Sequence, residues 1–122
     1  MTPRDIEMAV LDSLQNDIED VVQLLHILNG ADNDLSWESA RGMPFHKVEV
    51  QAALVRLMDK GLVIPHAALA PELDTLRPIP RSAIGDSVPW EEVWFDLNPE
   101  GRRVIQEWWK NEGDAKYPPP ED

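Results

Sequence analysis

The sequence predicts a mainly α-helical domain carrying a small β wing, with one extra helix at each end. Three features predict it. Apolar residues recur at helical spacing through most of the first half of the chain. The clearest helical run closes at Gly61 and passes directly into Leu62-Val63-Ile64. An alternating stretch, Val93 to Leu97, passes through Asn98-Pro99 into another helical pattern.

Taken in order, Thr2-Pro3-Arg4-Asp5 reads as a helix start. Thr2 suits the cap, Pro3 the first helical position, and Asp5 the positive end of the helix dipole. Ile6, Ala9, Val10, Ser13 and Leu14 then share one face. A second helix is expected from Asp17, with Ile18, Val21, Val22, Leu25 and Leu28 on a face widened by Leu24 and Ile27. So wide a face implies burial on several sides, and Asn29-Gly30 ends the helix. Leu35-Ser36-Trp37 reads as a very short strand, with Ser36 capping a brief helix that runs through Ala40. Phe45 to Lys60 is the longest helical pattern, with Val50, Ala53, Leu54, Leu57 and Met58 inward. Leu62-Val63-Ile64 begins a buried strand that Pro65 makes an edge or cuts short. Residues 67–89 are rich in proline and lack periodicity, so they read as a long loop. Val93, Phe95 and Leu97 alternate with Trp94 and Asp96 in a half-buried strand. Asn98-Pro99-Glu100 starts the last helix, with Val104, Ile105, Trp108 and Trp109 as its apolar stripe.

The order is helix, helix, short strand, short helix, long helix, strand, loop, strand, helix. That is the order of a winged helix-turn-helix in one domain. Its parts are an extra N-terminal helix (1–16), a core (17–97) with a long wing loop (67–89), a C-terminal helix (98–112) and an extended tail (113–122) containing Tyr117-Pro118-Pro119-Pro120.

Two local segments strengthen this reading. Leu54-Val55-Arg56-Leu57-Met58-Asp59-Lys60-Gly61-Leu62-Val63 resembles the end of the recognition helix and the first wing strand of MarR-like and PadR-like bacterial transcriptional regulators. Trp94-Phe95-Asp96-Leu97-Asn98-Pro99-Glu100-Gly101-Arg102-Arg103 resembles their second wing strand running into the C-terminal helix. The resemblance spans roughly residues 17 to 110. It implies a DNA-binding regulator of transcription that dimerises through its terminal helices.

Composition narrows the chemistry. The chain has no cysteine, which removes disulfides, thiolate metal sites and cysteine catalysis, and fits a cytoplasmic location. No apolar run approaches the roughly 20 residues a membrane span needs. Net charge is −12, which opposes binding to a polyanion. Charge is unevenly spread: residues 1–40 hold one basic and nine acidic side chains, residues 82–122 hold four and ten, and residues 41–81 hold six and four. Only the middle third can approach a phosphate backbone cheaply.

Candidate sites follow. Lys47, Arg56, Arg77 and Arg81 are the cations best placed to meet phosphate if the ligand is DNA. The side of the long helix opposite its core stripe holds Val48, Ala52, Val55 and Asp59. Val and Ala offer no donors to base edges, and Asp59 repels phosphate, so this stripe reads as a contact surface for another protein, or as a surface that the chain's own long wing or first helix covers, as well as a DNA-facing one. Trp108 and Trp109 are consecutive and diverge. One is expected to pack inward and the other to meet a second copy in a homodimer; alternatively the N-terminal helix of the same chain covers both. His26, His46 and His66 are spaced too regularly far apart to chelate within one helix, and His26 reads as a core-edge residue. No carboxylate pair suggests acid–base chemistry. The expectation is a protein without enzymatic activity, cofactor or metal. It would bind DNA or, alternatively, serve as a protein-interaction module that has lost DNA contact.

Overall fold

The computed structural model describes residues 2–15, 17–30, 37–69 and 71–113. The first helix, α1, spans Pro3–Ser13 and begins in a reciprocal cap. The Asp5 backbone N–H donates to the Thr2 hydroxyl at 3.2 Å, and the Thr2 N–H donates to the Asp5 carboxylate at 2.9 Å. Strand β1 follows at Glu19–Asp20, and α2 at Val21–Leu28. A short helix, α3, covers Trp37–Arg41, and α4 covers Lys47–Asp59. Strands β2 (Val63–Ala68), β3 (Leu76–Pro78) and β4 (Trp94–Leu97) lead into α5 at Pro99–Trp108, which ends in a π-helical turn, Trp109–Gly113.

The domain is mixed α/β: helices pack on one side of a small antiparallel sheet ordered β1-β4-β2-β3. The α1 helix lies against α2, α4 and α5, and α4 also packs on β2. The inward phase of α4 is as the periodicity predicts. Val50, Ala53, Leu54 and Leu57 are fully buried and Met58 partly so. Val93, Phe95 and Leu97 alternate into the same core. Asn98 caps α5, its side-chain oxygen accepting from the Gly101 N–H at 2.7 Å. Gly101 sits where a Cβ would lie 2.3 Å from the Leu62 carbonyl oxygen, so glycine lets α5 close onto the start of β2.

Several elements depart from the sequence expectations. Among the described residues the first strand is Glu19–Asp20, where none was expected. Of the strand expected at Leu35-Ser36-Trp37, Leu35 and Ser36 fall outside the described residues, and Trp37 opens a helix. The cause is the cap of α2. Asp20 holds an extended backbone, φ −90° and ψ 175°, while its carboxylate accepts from the Gln23 N–H at 2.8 Å, and that extended pair docks beside β4. The α2 face is narrower than expected: Val21, Leu24 and Leu28 are buried, but Val22 is 59% exposed, and Ile27 and His26 also face out.

Pro65 neither ends β2 nor puts it at an edge, since β2 continues to Ala68 with β4 on one side and β3 on the other. The register places Pro65 opposite Ile79, where antiparallel partners normally exchange two bonds. One forms, from the Ile79 N–H to the Pro65 carbonyl at 3.0 Å. The donor that proline lacks therefore belongs to the closing rung with β3, and the ladder to β4 is untouched. The segment expected as a loop, 67–89, holds β3, a 3-10 turn at Arg81–Ala83 and a bridge between Ile84 and Val88, and it is anchored by buried Ile79 and Val88.

Candidate partner-binding surface

The start of α4 is clamped by α2. Asn29 receives the Phe45 N–H at 2.7 Å on its side-chain oxygen, and its amide donates to the Phe45 carbonyl at 2.9 Å. Glu49 then reaches back to the His46 N–H at 3.1 Å and takes Arg41 at 2.7 Å. The Arg41 guanidinium lies 4.6 Å from the Phe45 ring centroid. The hydrogen bond from Arg41 holds the Glu49 carboxyl below the usual carboxylate range, against the opposing effect of burial.

The outer face of α4 is apolar until its last turn. Val48 is 74% exposed, Ala52 is exposed, Val55 is half-buried, and Asp59 is exposed at the end. The four cations expected to meet phosphate all have carboxylate partners within the chain. Lys47 pairs with Glu91 at 3.2 Å, and Arg81 with Asp59 at 3.2 Å. Arg77 pairs with Glu72 across the turn below β3. Arg56 pairs at 3.3 Å with Glu7 of α1, which also takes Lys60 at 2.6 Å. The Glu7 side chain is only 4% exposed, so this triad is the ionic tie between α1 and α4. Lys47 and the carboxyl's own backbone N–H together hold Glu91 below its usual range, the backbone bond being the larger cause. The structure thus distributes these four side chains over α4, β3 and the 3-10 turn after it, each beside an acid.

Trp108 and Trp109 diverge as expected, and both are used inside the chain. Their ring centroids are 5.1 Å apart, and Trp37 lies 6.1 Å from Trp108 and 5.7 Å from Trp109. Asp12 on α1 accepts from the Trp37 indole at 3.1 Å and the Trp109 indole at 2.9 Å. Trp108 is buried, and Trp109 is half-buried. Gly113 closes under both rings, because a Cβ there would lie 2.6 Å from Trp109 and 2.7 Å from Trp108. Arg4 of α1 pairs with Glu112 at 2.8 Å, fastening the same corner. The aromatic surface that suggested a homodimer is largely occupied by the chain's own helices. What a second copy would meet there is the half-exposed ring of Trp109.

His26 and His46 are exposed and His66 is half-buried, and among the described residues no group of three or more His, Asp or Glu is placed to hold a metal. Glu19 lies opposite the buried Phe95 on β4. Burial first, then repulsion from Asp17 and Asp20, raises its carboxyl above the usual range. Sequence reading missed Glu7, Asp12 and Trp37 as organising groups. The only available signal was an acidic residue inside an otherwise apolar helix face, for Glu7.

Compared with protein-family models, with curated proteins and with solved structures, the chain matches none.

Proposed function

We propose that this chain is a winged-helix domain that acts without catalysis and binds another protein through the outer face of α4. The winged-helix assignment is supported by the strand order β1-β4-β2, with β1 just ahead of α2 and with β2 and β4 bracketing the wing that follows α4. The protein-binding reading is carried by one observation. The helix that would read DNA offers Val48 and Ala52 to solvent, while Lys47, Arg56, Arg77 and Arg81 each lie beside a carboxylate. A phosphate backbone would have to displace those acids before binding these cations, against a net charge of −12. An apolar partner surface meets no such cost.

Two variants test the reading in affinity capture from an extract of cells that express the chain. Val48→Asp places an unpaired charge on the exposed apolar residue that opens the contact and should abolish capture of the specific partner. Arg77→Ala combined with Arg81→Ala should leave capture unchanged. Capture that survives Val48→Asp and disappears in the double arginine variant would overturn the proposal and return DNA as the ligand.

A further inference from the structure

The sheet has a second face that no described helix covers. Directly paired residues in an antiparallel sheet share a face. The register therefore sets Trp94, His66 and Pro78 side by side across β4, β2 and β3. Neighbours in that row lie about 5 Å apart. The next row toward one end pairs Asp96 with Ile64, and the next toward the other end pairs Ala68 with Leu76. The opposite face carries Val63, Pro65, Ala67 and Phe95, all buried. Ile64, Leu76 and Pro78 are exposed, and Trp94 and His66 are half-buried. Beyond this platform the hairpin tip extends the apolar surface with Leu73, which is 69% exposed.

We infer that this outer sheet face, centred on the Trp94–His66–Pro78 row and flanked by Ile64 and Leu76, docks a basic amphipathic segment of a partner protein. It is a different surface from the α4 face and shares with that reading only the class of partner. Charge selects the occupant. By register the face carries two acids, Asp96 and the Asp20 that pairs with Trp94, and no lysine or arginine, while Arg77 falls on the other face and pairs with Glu72. Asp74 adds a carboxylate at the tip. Apolar side chains of the partner would cover Ile64 and Leu76, and its lysines or arginines would meet Asp96 and the Trp94 ring. A second copy fits poorly, because each carries −12 and an isologous contact brings like charges together. An added strand also fits poorly. Leu76 and Pro78 are the β3 residues whose backbone faces outward, and proline has no N–H, so that edge offers a partner strand little to pair with.

A random peptide library displayed on phage, selected against the whole chain, tests the inference. Recovered peptides should be enriched in Lys or Arg interspersed with aromatic and aliphatic residues. Synthetic copies should bind at least tenfold more weakly to Leu76→Lys and to Asp96→Lys, and unchanged to Val48→Asp. Ile64→Ser repeats the test without a charge change, and thermal melting confirms that each variant is folded. The inference is overturned if no peptide is recovered, if the peptides are acidic, or if their binding ignores all three substitutions. Peptides that fail to bind only Val48→Asp would overturn it while leaving the α4 reading in place. Peptides that bind every variant equally would remove the sheet face and leave α4 to the extract experiment.

Discussion

The helical side of the domain and the β2–β3 hairpin place their leucines in opposite ways. On the helical side, Leu24, Leu28, Leu54, Leu57 and Ile105 are fully buried. In the hairpin, Leu69, Leu73 and Leu76 are exposed, and every described residue from Leu69 through Pro78 lies open to solvent. Each pattern has its own consequence. Burial of the helical leucines drives folding, at roughly 25 cal/mol per Å² of apolar surface removed from water. Leucines left in water on an ordered hairpin contribute little to folding, and such a patch is the usual mark of a binding surface. The ion pairs also differ in depth: Glu7 ties two helices from a buried position, whereas the Arg4–Glu112, Arg77–Glu72 and Arg81–Asp59 pairs lie at the surface, where salt and water weaken them.

Substitutions ordered by expected size test that contrast. The largest effect should come from Leu57→Ala, which leaves a cavity under α4 and should cost ~2–5 kcal/mol. Thermal melting reads it, and a loss below about 1 kcal/mol would mean that the inward phase of α4 is misplaced. Gly101→Ala should follow at ~1–3 kcal/mol, because the added methyl meets the Leu62 carbonyl and must push α5 off β2. Denaturant unfolding with an unchanged slope would show that stability alone has altered. Asp12→Ala comes next. It strips the acceptor from two indole donors, at ~1–3 kcal/mol for groups left without partners. Its specific signature is a change in tryptophan fluorescence, which Asp12→Asn, retaining an acceptor, should partly restore. The smallest effect should be that of Leu73→Ser with Leu76→Ser, within about 0.5 kcal/mol per site, as for surface positions generally. A melt that drops by several degrees would show that the hairpin leucines support the fold, and the contrast between the two regions would fail.

The pH dependence separates two acids of opposite sign. Glu49 has its folded pKa lowered, so its contribution to stability is present above the unfolded carboxylate value and is lost as pH falls through the lowered one. Glu19 has its folded pKa raised, so its contribution is present below the unfolded value and is lost as pH rises through the raised one. Arg41→Met should flatten the acid-side loss, and Glu19→Gln should raise stability at neutral pH. Unfolding midpoints across the acid range check both.

How much of this was legible in the sequence depends on the range of the interaction. Caps and faces are local. Thr2 and Asn98 as caps, and the buried set Val50, Ala53, Leu54 and Leu57, follow from spacing alone. Strand β1 was not legible, because Glu19 and Asp20 have poor strand propensity and pair only as a by-product of capping α2. The β3 strand was hidden among prolines, and without its register the row Trp94–His66–Pro78 could not be seen, although alternation alone put Trp94 outward. The pairing of Arg56 with Glu7, and of Trp109 with Asp12, joins residues far apart in the chain. No local pattern encodes either pair, so the cations read as available and one of the two tryptophans as spare.

The central claim is that the cations around α4 are held by the chain's own acids, so that its outer face serves a protein and not DNA. Fluorescence anisotropy of a labelled random-sequence duplex, titrated with the chain over a series of salt concentrations, tests it most directly. The expected result is no binding at micromolar protein even at low salt. Binding that weakens steeply as salt rises would contradict the claim, above all if Arg77→Ala and Arg81→Ala each lowered the salt slope by about one, as the removal of a phosphate-binding cation does.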